Sequence, residues 1–206
     1  VKERILKASV DLFWRYGIKS ITMDDIAKEL GISKKTIYQH FADKDEIVKE
    51  VIEKELDCEK SDMERLKSEV RDPIEEVMKA SEYMRANFAT ISPVLFHDLK
   101  KYHPKAWTLF QKHKYEHIVH TISANLTEGK TMGLYRRDID VEILARLRLE
   151  QIEMAFDTTI YPPQKFSMMD VQIQFIHHFL RGILTEEGFK LYNTYIEKSV
   201  IESNHP

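Results

Sequence analysis

With 206 residues, 43% hydrophobic and 32% charged side chains, the chain has a globular composition and is long enough for a domain of about fifty residues plus one of about 150. No apolar run approaches the ~18–20 residues of a membrane span and the N-terminal segment lacks the apolar core of a signal peptide, so a cytoplasmic location and no membrane partner are expected. The formal net charge of −3 speaks against nucleic acid only as an average: residues 1–44 hold nine Lys and Arg against six Asp and Glu, the remainder 22 against 28, so positive charge gathers at the N-terminal end.

An opening helix covers ILKASVDLFWRYG. Thr22 and Asp25 then form an S/T-x-x-D/E capping pair, after which Met23, Ile26, Ala27 and Leu30 fall on one face and predict a helix of about two turns. Gly31 suits the left-handed conformation that ends a helix, Ile32 plugs the corner, and Ser33 is placed to accept a backbone N–H and start the next helix. In that helix Ile37 and Phe41 point inward at i, i+4, which leaves Lys34, Lys35, Thr36, Tyr38, Gln39 and His40 outward. Asp43 and Glu46 make a further capping pair, opening a helix with Lys44 in its first turn.

Two short helices joined at Gly31 and followed by a third helix start are the layout of a DNA-reading helix-turn-helix. The outward face suits a duplex, because hydroxyls and cations bind phosphate while Gln and Lys reach base edges in the major groove. The helix N-termini at Thr22 and Asp43 are candidates for aiming N–H groups at phosphates. The plainer reading is a corner of a helical bundle with a solvated polar face.

The opening helix, followed by T-M-x-x-I-A, LGIS and TIYQHFADKDEIV, resembles the TetR family of bacterial one-component transcriptional regulators. The resemblance implies an all-α chain with an N-terminal three-helix helix-turn-helix DNA-binding domain, residues 1–46, and a larger helical domain for ligand binding and dimerisation, residues 47–206. It implies that Thr22, Thr36, Tyr38, His40 and Lys44 touch phosphate or sugar, that Ser33 belongs to the same surface, and that Lys34, Lys35 and Gln39 read bases. Reader positions vary among members, so no operator sequence carries over. The basic arm that many members have ahead of the first helix is not in this sequence, which starts at Val1. The implied function is a regulator, usually a repressor, that binds a palindromic double-stranded DNA operator as a homodimer and is released by a small-molecule inducer.

Beyond residue 43 the pattern stays helical to the end, and no strand is predicted. Ile47, Val48, Val51, Ile52, Leu56, Met63, Leu66 and Val70 repeat at helical spacing up to Asp72-Pro73, a rod of roughly 40 Å suited to coupling two domains. Cys58 is filler on that rod, and a lone cysteine excludes an internal disulfide framework. Asp72 and Glu75 cap the next helix with Pro73 at its first position, Ser92-Pro93 and His103-Pro104 mark two more starts, and Gly129 is expected to close a helix running from about Lys105. The connector GKTMGLYRRDI leads to a helix capped by Asp140 and ending near Phe156. After the double-proline loop DTTIYPPQKF, Ser167 caps a helix to Leu184 and Thr185 caps a last one.

Met169, Ile173, Ile176, Leu180 and Ile183 form one apolar stripe of the helix after Ser167, and Val171, Phe175 and Phe179 form a second. A monomer surface has no use for both. The second stripe, with Gly182 allowing close approach, and the broadly apolar helix VEILARLRLEQIEMAF are therefore expected to meet their symmetry mates in a four-helix dimer interface. The alternative is that this helix is central in its own domain. A dimer also suits the DNA task, since heads ~34–36 Å apart fit successive major grooves.

Met78, Tyr83, Met84, Phe88, Phe96, Trp107, Phe110, Leu126 and Met154 are large, soft side chains that on their own suit a core. In TetR-like proteins helices at these positions enclose an inducer cavity. The resemblance thus makes Met78, Met84, Phe88, Phe96, Trp107, Phe110 and Met154 candidate lining for a small hydrophobic or aromatic ligand, with His97, His117, Asn125, Gln151 and Glu153 as orienting groups. His113, His117 and His120 stand at i, i+4, i+7, but no Asp or Cys lies at ligand spacing, so neither metal nor cofactor is expected. The competing class is a helical-bundle enzyme or metal-binding protein whose N-terminal helices are only structural. The chain shows no G-x-S-x-G, P-loop, dinucleotide fingerprint or H-E-x-x-H, and no catalytic residue is assigned.

Overall fold

The computed structural model describes residues 1–88, 91, 92 and 94–203, without the side chains of Phe88 and residues 198–203. Pro93, expected at a helix start, and the side chain of Phe88, expected at a pocket, lie outside the described residues. The helices in chain order are α1 (Lys2–Tyr16), α2 (Met23–Leu30), α3 (Lys34–Tyr38), α4 (Lys44–Glu69), α5 (Pro73–Phe88), α6 (Leu95–Tyr102), α7 (Pro104–His113), α8 (Val119–Thr131), α9 (Val141–Met154), α10 (Met168–Ile183) and α11 (Glu186–Ser203). A π-helical turn, Lys114–Ile118, joins α7 to α8. Among the described residues there is no strand, and an isolated antiparallel bridge links Tyr135 to Leu184.

The chain forms two compact units, Val1–Ser61 with Thr90–Lys114, and Asp62–Ala89 with Tyr115–Pro206. The first unit is larger than a 1–46 head, because it keeps most of α4 and takes in α6 and α7. Polar contacts explain the addition: Ser92 N donates to Trp14 O (2.6 Å), Lys19 N to Asp98 Oδ2 (2.8 Å), and His103 Nδ1 meets Asp45 Oδ1 (2.7 Å).

Helices as short as α2 and α3 do not persist alone in water, so their stability comes from caps and from packing. Ile5 and Phe13 of α1, Ile26 of α2, Ile37 of α3, Phe41, and Ile47 and Val48 of α4 converge with Ile18 in a core shut off from solvent. Each such side chain contributes about 1.5–3 kcal/mol by leaving water. Phe41 reaches this core because the chain keeps turning after α3, with Phe41 N donating to Ile37 O (3.0 Å).

In the second unit Ile74, Leu126, Tyr135, Ala145, Ile176, Leu180 and Tyr192 form the centre, drawn from α5, α8, α9, α10, α11 and the 132–140 connector. Asn125 is buried and fully engaged: its Nδ2 donates to Pro73 O (2.9 Å) and Glu76 Oε2 (2.8 Å), while its Oδ1 accepts from the Tyr135 hydroxyl (3.1 Å). It braces α8 against the start of α5, and is not an orienting group for a ligand.

Two expectations fail here for physical reasons. Gly129 does not close a helix; α8 runs through it to Thr131, and Gly133, at φ 72°, takes the left-handed position instead. Gly129 is required by contact, since a Cβ there would stand 2.1 Å from Cδ2 of the wholly buried Tyr135 ring. Gly129→Ala is expected to cost about 2 kcal/mol or more despite the better helix propensity of alanine, because overpacking a rigid ring outweighs it. A lower urea midpoint at unchanged m-value checks this. Secondly, the second stripe of α10 is not an outer surface: Val171 and Phe179 are each only 7% exposed within the single chain, and only Phe175 is partly open. The alternative of a helix central in its own domain holds for those two residues.

Candidate functional site

The helix-turn-helix is assembled by reciprocal capping. The Thr22 hydroxyl accepts from Asp25 N (3.2 Å) and donates to Asp25 Oδ2 (2.6 Å), which also accepts from Thr22 N (2.8 Å). Gly31 ends α2 at φ 64° and ψ 32°, with its N–H bonded to the last carbonyls of the helix. Open space surrounds it, so its need is for the left-handed backbone alone. Ser33 Oγ accepts from Thr36 N (3.1 Å) and shares a hydrogen bond with Thr36 Oγ1 (2.8 Å). Asp43 Oδ1 accepts from Glu46 N (2.8 Å), and Glu46 Oε2 accepts from Ala42 N (2.6 Å), which fixes the start of α4.

With Ile37 buried, α3 turns Lys34, Lys35, Tyr38, Gln39 and His40 to solvent, and Tyr38 is 49% exposed despite its aromatic ring. A large aromatic left open beside two lysines and an amide is a poor solvated face but a good nucleic-acid face, since its hydroxyl bonds phosphate while its ring covers sugar. Lys34 Nζ rests on Asp24 Oδ2 (2.8 Å) with both groups open to water, a pair weak enough to be exchanged for a phosphate. The Asp24 hydrogen bond holds the Lys34 pKa above its ordinary value, so the charge is present throughout the neutral range.

Two expected contacts are used differently. Lys44 points inward: its ammonium donates to Ile18 O (2.5 Å) and lies 6.0 Å from the Phe13 ring centre, and burial pushes its pKa down against the opposing pull of Asp98. It ties the start of α4 to the turn after α1. Thr22 is exposed, but its hydroxyl and N–H are both committed to Asp25, whose carboxylate occupies the N-terminus of α2 where a phosphate was expected. The sequence showed the capping pair; that the pair consumes the donors follows only from geometry.

Asp98, which no sequence pattern singled out, is 95% buried beside this head. It accepts from Lys19 N and supports the charge of Lys44. Asp98→Ala leaves a backbone N–H unpaired and an ammonium less compensated, and is expected to lower stability by about 1–3 kcal/mol in thermal or urea unfolding. Asp98→Asn, which keeps an acceptor for Lys19 N, should recover part of it.

The candidate pocket residues are divided between the two units. Phe96, His97, Trp107 and Phe110 belong to the first unit, where Phe96 and Trp107 pack on Phe110 at ring-centre distances of 5.5 and 5.4 Å, and His97 is exposed. Met78, Met84, His117, Gln151 and Met154 belong to the second. Met78 is core and Met154 faces solvent. Two open surface depressions of the second unit, one along α8 and one at Leu184–Lys190, are lined by none of the candidates. His113 hydrogen-bonds Glu59 (2.7 Å), and the π turn after it inserts an extra residue that breaks the i, i+4, i+7 alignment with His117 and His120. Among the described residues no group of three His, Cys, Asp or Glu side chains is gathered as a metal site.

Arg148 was also missed. It sits on the inner face of α9 between Ala145 and Leu149, 6% exposed. The signal was present: in VEILARLRLEQIEM, Arg148 falls three residues after Ala145 and four before Ile152, on the apolar side of its helix.

A capped pair of short helices, backed by a third and presenting a basic and aromatic outer face, defines a helix-turn-helix DNA-reading protein. Residues 5–51 match the model of the bacterial regulatory proteins of the tetR family. Over 188 residues the chain is 28% identical to the uncharacterized HTH-type transcriptional regulator YvaF of Bacillus subtilis, covering 90% of this chain and 96% of that one. In fold it is similar to a transcriptional regulator of Saccharomonospora viridis solved with choline (TM-score 0.75, 21% identity, 90% and 98% of the two chains). It is similar also to a TetR-family regulator of Agrobacterium tumefaciens (0.74, 16%, 89% and 97%). Residues 5–51 thus carry the N-terminal domain of the tetR family, and over most of its length the chain is similar to HTH-type transcriptional regulators.

Proposed function

We propose that the protein is a ligand-responsive repressor that binds a palindromic operator as a homodimer and leaves it when a small molecule occupies its second unit. The observation that carries this reading is the outward face of α3, with Lys35, Tyr38, Gln39 and His40 open to solvent on a helix whose other side is locked by Ile37 and Phe41. Lys34, Lys35 and Gln39 read base edges, Ser33, Thr36, Tyr38 and His40 hold phosphate or sugar, and residues 1–46 act as the reading head for a regulatory remainder, 47–206. Lys44 and Thr22 brace the head itself, through Ile18 O and Asp25.

The dimer face differs from the one the α10 stripe suggested. Ile143 (64% exposed), Leu147 (47%) and Met154 (40%) share one outer face of α9, and Phe175, His178 and Gly182 share a partly open face of α10 at i, i+3, i+7. Two such faces meeting about a twofold axis give a four-helix interface whose apolar centre is α9. Choline, bound by the Saccharomonospora viridis protein, is a cation, and the buried cationic Arg148 of α9 makes a ligand of that charge unsuitable for its neighbourhood here.

Selection of genomic fragments with the purified protein tests the reading. Enrichment of an inverted repeat whose half-sites lie a whole number of helical turns apart is expected. Enrichment without dyad symmetry, or none above a nonspecific basic protein, overturns it.

A further inference from the structure

Arg148 is a buried charge that no ion pair balances among the described residues. Its Nη1 is sealed from solvent without a hydrogen-bond partner among the described residues, and its guanidinium lies 6.0 Å from the ring centre of Phe179 on α10. Burial pushes its pKa down, to about 10, with no opposing carboxylate among the described residues; at neutral pH the group is still cationic. Two further buried polar atoms of α9 and α10 have no hydrogen-bond partner among the described residues. Gln172, 1% exposed on α10, donates through Nε2 to Ile152 O (2.8 Å) while its Oε1 is sealed and unpaired, and so is Oε1 of Gln151, one helical turn after Arg148. Native proteins rarely keep a buried ion and two acceptors unsatisfied, because each costs its full desolvation.

We propose that Arg148 anchors a carboxylate-bearing ligand in the seam between α9 and α10, with the amide oxygens of Gln151 and Gln172 accepting from a hydroxyl or N–H on the same molecule. The inference rests on the proposed release by a small molecule and names its chemical class. A guanidinium matches a carboxylate through two parallel N–H···O bonds and supplies the single charge such a group needs. A phosphate monoester carries nearly two charges and three acceptor oxygens, more than the single charge of one arginine can balance. The surrounding side chains, Ala145, Leu149, Ile176 and Phe179, call for an apolar body.

The test uses the full chain with sodium octanoate, 2-hydroxyoctanoate, octan-1-ol and inorganic phosphate, followed by thermal unfolding and calorimetry. Both carboxylates are expected to raise the melting temperature with concentration, the hydroxy acid more strongly, whereas the alcohol and phosphate leave it unchanged. Arg148→Met should weaken carboxylate binding by about 10- to 100-fold, and the ligand-free variant should melt at or above the parent, because an unpaired ion has been replaced by an apolar chain of similar length. Gln172→Leu should erase the advantage of the hydroxy acid while keeping octanoate binding. Equal response to octanol, a response to phosphate alone, no response to either carboxylate, or carboxylate binding undiminished in Arg148→Met each overturns the proposal. A ligand-free Arg148→Met that melts below the parent does so too, since the charge would then be satisfied within the fold. Operator binding by the ligand-free chain is measured alongside: its loss sinks the proposed function alone, and its retention without a carboxylate response sinks this inference alone.

Discussion

Replacing Lys34 and Lys35 together with glutamate is expected to weaken operator binding by about a thousandfold, with no loss of thermal stability beyond a few tenths of a kcal/mol. Both side chains are exposed, and neither takes part in the core of Ile37 and Phe41 that holds α3 in place. The pair to Asp24 is open to water and contributes little. In a dimer the double change removes four cations from the duplex face. At roughly 1 kcal/mol for each lysine facing the duplex this amounts to roughly 4 kcal/mol, about three orders of magnitude in Kd, before the repulsion of the new carboxylates is counted. The slope of log K against log salt should fall by up to about 4. Gln39→Ala should behave differently, relaxing preference at particular base pairs while leaving the salt slope alone.

Leu147→Asp is expected to convert the proposed dimer to a monomer of 24.4 kDa in sedimentation and to lower operator affinity by at least about a hundredfold. Leu147 is 47% exposed and Ile143, one turn earlier, 64%, so aspartate is harmless to the isolated chain and costly only where two copies close over it. The twofold axis places the charge in the interface twice. Leu180→Asp, by contrast, puts a carboxylate into the second unit's own core and should unfold the chain instead of dividing it. Circular dichroism at equal concentration separates the two results: helical content survives in Leu147→Asp and falls in Leu180→Asp.

The reading head was legible because its punctuation is local. A capping box, a left-handed glycine and a serine cap lie within a few residues of the groups they bond, so spacing along the chain determines them. The caps Asp72, Asp140, Ser167 and Thr185 were legible for the same reason. What failed depended on partners distant in sequence. Gly129 carries the signature of a helix terminator, and only the ring of Tyr135 reveals it as a contact glycine. Phe179 and Val171 have the periodicity of an outer stripe, and only their burial by other helices shows which stripe faces inward. Lys44 matches the position of the resemblance, yet the carbonyl that accepts its hydrogen bond belongs to the turn after α1. Arg148 lay in plain view on an apolar face, but a charged residue in a helix normally reaches water at its tip, and its enclosure is a property of the packed unit.

The most direct measurement of the central claim is dimethyl sulfate protection of guanine N7, the major-groove edge, in the operator complex. Two protected clusters on one face of the duplex, a whole number of turns apart and each lost with Gln39→Ala or the Lys34/Lys35 double change, are predicted if the outer face of α3 lies in the major groove of each half-site. Full methylation of N7 with protection confined to adenine N3 in the minor groove, or a single cluster indifferent to changes in α3, would contradict the account.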